Sequence, residues 1–338
     1  MRQKITLKEL AKELNCSVST ISKALSDSYE IGEQTKKIVR EAADRLGYTR
    51  HPYAGHLHNK KSKTLAVVVP EITNNFFVEI ISGIQAVALK NEYHVLIYSS
   101  DESYEQEVSI LKHLESGRVD GVLMSISGTT SNCDHIQRLI EFKIPVVLFD
   151  RVCHDIETAK IITDDFASGL KATEHLIEAG CKKIAYLSIS DKLSISNKRK
   201  QGYLEAFNKH DLPEEKTMIV NCTFNETENY EIIKNLFSGD HKPDGVFASV
   251  ENLALITYQV CNELGVNIPT DCKVICFSNL RTAPLLNPPL TTITQPAYEM
   301  GIKAATSLFT FLKQNYWELF NENIVFKSTL SPRLSTGI

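Results

Sequence analysis

Residues 6 to 28 read TLKELAKELNCSVSTISKALSDS, two short amphipathic segments with little more than Asn15 and Cys16 between them. In the first, Leu7, Leu10, Ala11 and Leu14 recur at i, i+3, i+4 and i+7, one apolar stripe along a helix. Thr6, followed three residues later by Glu9, has the pattern of a capping box. Ser17 is placed to cap a second helix, whose apolar positions Ile21, Ala24 and Leu25 again fall at helical spacing. So short a connection makes the helices cross steeply. The face left to solvent carries Val18, Ser19, Ser22 and Lys23, small or basic residues that can approach base edges and phosphates closely. On these residues alone the pair reads either as a DNA-reading helix-turn-helix or as a helical hairpin in a bundle.

The charge distribution favours DNA. The chain has 338 residues, 43% hydrophobic and 23% charged, as expected of an ordinary globular protein of two or three domains. Its net charge of −4 suggests no nucleic-acid partner. Residues 1 to 63, however, hold 13 Lys and Arg against 7 Asp and Glu, or +6, leaving 24 against 34, or −10, for the remainder. A basic head on an acidic body separates phosphate contact from solubility. The start, MRQKITLKEL, lacks the apolar core of a signal peptide, and no apolar run is long enough to span a membrane, so a cytoplasmic protein is expected. The eight cysteines (16, 133, 153, 181, 222, 261, 272 and 276) sit singly in mostly apolar surroundings, which predicts reduced, buried thiols rather than metal ligands or disulfides.

A third helix is predicted from about Glu33 to Leu46, stopped by Gly47, and a polar, basic connector follows, YTRHPYAGHLHNKKSK. Beyond it, apolar runs (TLAVVVP, HVLIYSS, DGVLMSI, IPVVLFD, KKIAYLSIS, MIVNC, DGVFASV, KVICFSN) alternate with segments of helical period. Such alternation predicts βαβ units and doubly wound parallel sheets covered on both faces, dividing near Thr163 into two similar lobes with a cleft between them. Ligands of such sheets sit at the carboxyl ends of the strands. Those segments contain no P-loop, GxGxxG, HExxH or GxSxG. Adjacent Asp164 and Asp165 read as a helix cap rather than an acid–base pair. The clustered His51, His56 and His58 belong to the basic connector. No enzyme activity, cofactor or metal is expected.

Over essentially its whole length the chain resembles transcription regulators of the lac repressor (LacI/GalR) family. The matching stretches, in order, are TLKELAKELNCSVSTIS, IGEQTKKIVREAADRLGY, VVVPEITNNFFVEIISGI, VDGVLM, PVVLFDR, ATEHLIEAGCKKIAYL, LGVNIP, NPPLTTITQP and RLST. The resemblance implies a helix-turn-helix headpiece over 1–49, a hinge over 50–63, and a two-lobed core over 64–338 shaped like periplasmic sugar-binding proteins. It implies a homodimeric repressor that binds a pseudo-palindromic operator and responds to a small molecule, such as a sugar or sugar derivative, in the cleft. A solute-binding receptor would need a signal peptide and no basic headpiece. A carbohydrate-processing enzyme of similar architecture would need a nucleophile or a phosphate loop.

Carried over by position, the resemblance implies base reading by Val18, Ser19 and Lys23 and phosphate anchoring by Ser17, Thr20 and Ser22, with Thr6, Leu7, Tyr48 and Arg50 completing the DNA contact. Lys23 stands where the family usually has Arg, so the planar fork that grips guanine is absent. Leu57 matches the family's minor-groove wedge. Gly55 lies inside a hinge helix that is only a turn or two long, which predicts a hinge disordered off DNA. For the effector the resemblance implies Phe76, Phe77 and Phe224 as walls, with Ser125, Asp150 and Arg151, and with Asp164 and Arg199 nearby, Arg199 reading either as part of the site or as a brace for the fold. Asn197, Val250 and Ser278 replace an Arg, an Asn and an Asp that usually grip a sugar. A common monosaccharide held through those three places is therefore expected to bind poorly, leaving a larger or less polar effector on the aromatic walls, or a cleft without small-molecule control.

Overall fold

The computed structural model describes residues 5–25, 28–46, 62–213, 217–239, 241–314 and 321–337. The chain divides into two compact units, 1–62 and 63–338.

In the first unit the apolar stripes become three helices: α1 (Leu7–Glu13), α2 (Val18–Leu25) and α3 (Glu33–Leu46). Leu10, Ala11, Ile21, Ala24, Val39, Ala42 and Ala43 form its core, one small set of side chains from each helix. The capping box at Thr6 and Glu9 is complete in both directions. Lys36 is buried, with its ammonium 2.7 Å from Glu33. Gly47, Tyr48, Arg50, Gly55 and Leu57 lie outside the described residues.

The second unit is two α/β lobes. In the first lobe, β1 (Thr64–Val69), β2 (His94–Ser99), β3 (Gly121–Met124), β4 (Val146–Phe149), β5 (Lys160–Thr163) and β11 (Asn323–Phe326) form a parallel sheet of order β11-β5-β4-β3-β1-β2. Its faces are covered by α4 (Asn75–Lys90) and α11 (Ala297–Gln314) on one side and by α5 (Tyr104–Leu114) and α6 (Asp134–Glu141) on the other. The second lobe repeats the plan with β6 (Ile184–Ser188), β7 (Met218–Asn221), β8 (Gly245–Ala248), β9 (Lys273–Phe277), β10 (Thr291–Thr294) and β12 (Thr329–Ser331), in the order β12-β10-β9-β8-β6-β7. Only β12 runs antiparallel among the described strands. Here α7 (Asp165–Glu178) and α8 (Ser194–Lys209) cover one face, α9 (Glu226–Ser238) and α10 (Glu251–Leu264) the other.

Continuous burial along β1, β3, β4 and β8 follows from this double covering. Each large apolar side chain so buried contributes roughly 1.5–3 kcal/mol. In both lobes a helix pair crosses on glycines. A Cβ on Gly83 or Gly301 would strike the backbone of α11 or α4, and one on Gly169 or Gly202 the backbone of α8 or α7. The division near Thr163 is present, but the chain returns to the first lobe for α11 and β11 before ending in the second, so three connections join the lobes.

The cysteines depart from expectation at one place. Cys133 and Cys153 are bonded to each other, with Cα atoms 6.5 Å apart, while Cys16, Cys181, Cys222, Cys261, Cys272 and Cys276 are free thiols. The pairing follows from topology: β3 and β4 are neighbours, so the loops beyond their carboxyl ends meet.

Candidate nucleic-acid interface and interlobe cleft

Helix α2 has two distinct faces. Ile21 and Ala24 are wholly buried, whereas Val18 is 41% exposed and Ser19 and Lys23 are exposed beside it. Ser17 caps the helix, its Oγ accepting the Thr20 N–H at 3.0 Å, and the Ser17 and Thr20 hydroxyls share a further hydrogen bond of 2.8 Å. Thr20 and Ser22 are half-buried. Thr6 is exposed at the start of α1, where its N–H donates to the Glu9 carboxylate at 2.7 Å; that bond and one from its hydroxyl hold the Glu9 carboxyl below the usual range. Leu7 packs at the edge of the headpiece core. Lys23 is not a lone cation: its ammonium forms an ion pair with Glu30, a residue that sequence reading did not single out.

The cleft lies between the carboxyl ends of the two sheets. Asn74 caps α4 by accepting the Phe76 N–H at 3.1 Å and so sets Phe76 and Phe77 at the cleft wall. Asp150 and Arg151 follow β4, Val250 and Glu251 follow β8, and Ser278 and Asn279 follow β9, as the strand-end rule requires. Arg199, Phe277 and Gln295 complete the lining that matters here. Of the expected effector residues, Phe76, Phe77, Asp150, Arg151, Val250 and Ser278 line this space. Ser125, Asn197 and Phe224 are not among the lining: Ser125 is buried and accepts the Arg151 N–H at 3.4 Å, Asn197 donates its amide to the Asp191 carbonyl, and Phe224 sits on the Gly128 loop.

The interior is more polar than the substitutions at 197, 250 and 278 suggest. Glu251 stands one residue beyond Val250 and accepts hydrogen bonds from Ser278 Oγ at 2.5 Å and from Asn75 Nδ2, on the opposite lobe, at 3.1 Å. Glu79 bridges likewise, accepting from Asn279 at 2.9 Å and from Arg281 at 3.3 Å. Arg151 donates from Nη1 to both Glu102 carboxylate oxygens at 2.8 Å, while its buried Nε has no hydrogen-bond partner. Arg199 donates to Asp165 at 2.8 Å and to the Ser249 carbonyl at 2.7 Å, and lies 3.7 Å over the Phe277 ring, so it both braces the second lobe and lines the cleft. Burial pushes the Asp150 carboxyl up to about 6, opposed by Arg151 and Arg199. The Asp164 side chain makes no cap bond to α7; it accepts from Ser168 Oγ and the Ser328 N–H, tying α7 to the last interlobe connection.

A small helix-turn-helix unit and a two-lobed, periplasmic-binding-protein-like core together define a class of ligand-responsive DNA-binding regulators. Residues 6–51 match the family model of bacterial regulatory proteins of the lacI family, and residues 62–322 that of periplasmic binding proteins and the sugar-binding domain of the LacI family. The chain belongs to the LacI family: it is a DNA-binding transcriptional regulator and not an enzyme. It is similar to catabolite control protein A of Priestia megaterium, 28% identical with 92% of this chain and 93% of that protein covered. The crystal structure of a LacI-family regulator from Enterococcus faecium with bound ribose is 26% identical, with TM-score 0.73 over 80% of this chain and 98% of that one. The lac repressor dimer bound to operator shares the fold at TM-score 0.83, with 18% identity and 99% of each chain covered. Among the described residues no helix is long and apolar enough to cross a membrane.

Proposed function

We propose that the protein is a cytoplasmic homodimeric repressor whose α2 helices read two half-sites of a pseudo-palindromic operator and whose affinity for that operator is set by a polyhydroxylated small molecule in the cleft. The observation that carries the DNA half is the two-faced burial of α2, with Ile21 and Ala24 holding the helix while Val18, Ser19 and Lys23 are presented to solvent. Ser17, Thr20, Ser22, Thr6 and Leu7 are proposed to seat that helix against the backbone. Tyr48, Arg50 and the Leu57 wedge are proposed to extend the contact from the connector. Leu89 on α4 and Leu96 and Ile97 on edge strand β2 are exposed apolar residues suited to a second copy of the chain. Relatives include the lac repressor, solved as a dimer bound to operator.

The effector half rests on the cleft's chemistry. Hydroxyl groups both donate and accept, and the cleft offers carboxylates (Asp150, Glu251) beside an unsatisfied guanidinium N–H (Arg151) between aromatic rings. Glu251 supplies a carboxylate, which neither Val250 nor Ser278 offers. A relative of known structure holds ribose. In this conformation the cavity measures about 40 Å³, room for a water or two, so ligand entry requires the lobes to part. An effector that binds open and closed lobes unequally shifts operator affinity by that difference.

Selection of operator from a random duplex pool, followed by titration across a salt series and then with a panel of sugars and sugar phosphates, tests both halves. A palindromic operator, log affinity falling steeply with log salt, and at least one ligand that changes operator affinity tenfold are expected. Salt-independent association by a monomer defeats the DNA half. Ligand binding that leaves operator affinity unchanged defeats the effector half.

A further inference from the structure

The exposed face of α2 carries a paired cation. Lys23 is near the carboxyl end of that helix, and its ammonium is bonded to the carboxylate of Glu30, both side chains about half exposed at 46% and 47%. The turn between them is pinned at both ends. The Ser28 N–H donates to the Lys23 carbonyl at 3.0 Å, the Ile31 N–H to the Ser28 carbonyl at 3.2 Å, and Ile31 packs into the headpiece core. Glu30 is therefore held beside the reading face by backbone geometry. An exposed ion pair of this kind adds little to stability. Against a phosphate backbone an acid at this place is a liability, and it is useful only where a base offers a donor.

We propose that Lys23 and Glu30 act as one unit that reads a G·C pair, which makes Glu30 a specificity-determining residue. In the major groove guanine presents O6 and N7 as acceptors, and its cytosine partner presents the N4 amino group as a donor directly beside O6. A lysine ammonium donates to the first, and a carboxylate accepts from the second. Lys23, with no planar fork, cannot grip guanine in the bidentate way an arginine does. Glu30 supplies the missing geometry by orienting the ammonium and reading the partner base. The other base pairs fit less well: A·T and C·G exchange the donor and acceptor that the two charges meet, and T·A, which keeps an acceptor beside a donor, sets the thymine methyl where guanine offers N7 to the ammonium. Glu30 also weakens binding to arbitrary sequence through repulsion from phosphate, so the pair increases discrimination at the expense of general affinity.

This inference rests on the proposal that α2 reads DNA, and the test separates the two. Operator is selected with the full-length protein, and each base pair of the enriched half-site is then replaced in turn and measured with the natural protein, with Glu30→Gln and with Lys23→Gln. One G·C pair per half-site is expected whose replacement weakens binding by the natural protein roughly tenfold or more. With Glu30→Gln that penalty is expected to fall to threefold or less, while penalties at other positions stay as they were and affinity for unrelated duplex rises. With Lys23→Gln the same position loses its preference. If Glu30→Gln tightens all sequences equally and leaves the base preferences unchanged, Glu30 only repels phosphate and the inference is wrong. Unchanged binding overturns it as well. Failure of the natural protein to enrich any palindromic sequence removes the DNA-reading proposal itself.

Discussion

Phe224 of the second lobe rests on Gly128 of the first, and a methyl group on Gly128 would occupy the position of the ring's Cζ atom. The same glycine donates its N–H to Glu102 at 2.6 Å, and Glu102 in turn holds Arg151 at the cleft. This contact between the lobes is thus linked through one loop to a cleft-lining guanidinium.

Replacing Gly128 with Ala is expected to favour the open lobes. The φ of Gly128 lies outside the left-handed region, so the change costs the first lobe little, and the added methyl collides with the Phe224 ring across the contact between the lobes. Affinity for a ligand that binds the closed form should fall about tenfold, and small-angle scattering should show an expanded core. Adding Phe224→Ala removes the colliding ring and should restore closure, because the two substitutions act on one contact. A Gly128→Ala protein with natural scattering and ligand affinity would show that the contact does not govern closure.

The glycine crossings make a prediction about stability. Gly301 faces the Ile80 carbonyl, and Gly83 faces that of Tyr298, so neither neighbour can move without shifting a helix. Ala gains at most about 1 kcal/mol over Gly in a helix, while overpacking against fixed atoms costs about 1–3 kcal/mol or more. Net destabilisation and a Tm several degrees lower are therefore expected for Gly301→Ala. Gly239→Ala, whose added Cβ meets no heavy atom closer than 3.8 Å, is the control and should change stability by less than about 0.5 kcal/mol. Equal thermal melts for the two variants would contradict this account of the helix pair.

How much of this was legible in the sequence depended on whether the signal was local. The headpiece caps, the helix over 33–46 and eight strands follow from periodicity and apolar runs. Strands β5, β10, β11 and β12 leave no such mark, because KIIT, TTIT, NIVF and TLS are short and partly polar, and β11 and β12 pair with strands distant in sequence. The return of α11 to the first lobe leaves no local mark, since its apolar stripe would suit either lobe. Within the cleft, Asp150, Arg151, Phe76 and Phe77 were found. Glu102, Glu251 and Asn279 lie beyond strands that the apolar runs do mark, where the strand-end rule directs the search, whereas Gln295 follows β10, which they do not mark. Glu79 lies inside α4, and Glu30 beyond the end of α2; only three-dimensional contact reveals either. The Cys133–Cys153 pair needed the β3–β4 adjacency to be known first.

Asp150 makes a pH prediction whose sign is fixed. Burial raises its carboxyl to about 6 from an ordinary 3.8. Between those values the folded protein keeps a proton that the unfolded chain has released, so this group favours folding most at low pH. That advantage is lost as pH rises through about 6. Above it the folded core carries a buried carboxylate at a cost on the order of 3 kcal/mol. Asp150→Asn removes the charge and suits the backbone, because φ here is 58° and Asn tolerates the left-handed region. The variant should match the natural protein near pH 4 and exceed it in stability at pH 7.5, as read by urea unfolding at several pH values. A stability difference independent of pH would exclude Asp150 as its source.

The ion pair of Arg199 and Asp165 separates bracing from ligand contact. Both side chains are almost wholly buried, 2.8 Å apart, and burial pushes the Asp165 carboxyl up while the guanidinium opposes it. Removing one member leaves the other charged and unpaired in the interior, which costs about 3–5 kcal/mol, whereas replacing both with apolar groups of similar volume is often close to neutral. Arg199→Met is therefore expected to destabilise the core severely. Asp165→Leu combined with Arg199→Met should regain most of that loss, short of the hydrogen bond to the Ser249 carbonyl that no apolar side chain replaces. Urea unfolding of the two single variants and the double variant measures the coupling directly. Effector titration of the refolded double variant then asks what Arg199 does besides brace: weakened ligand binding in a core of restored stability assigns it to the site, and unchanged binding assigns it to the fold alone. Single substitutions costing less than about 1 kcal/mol, or a double variant no more stable than the worse single, would contradict the pairing as the source of the effect.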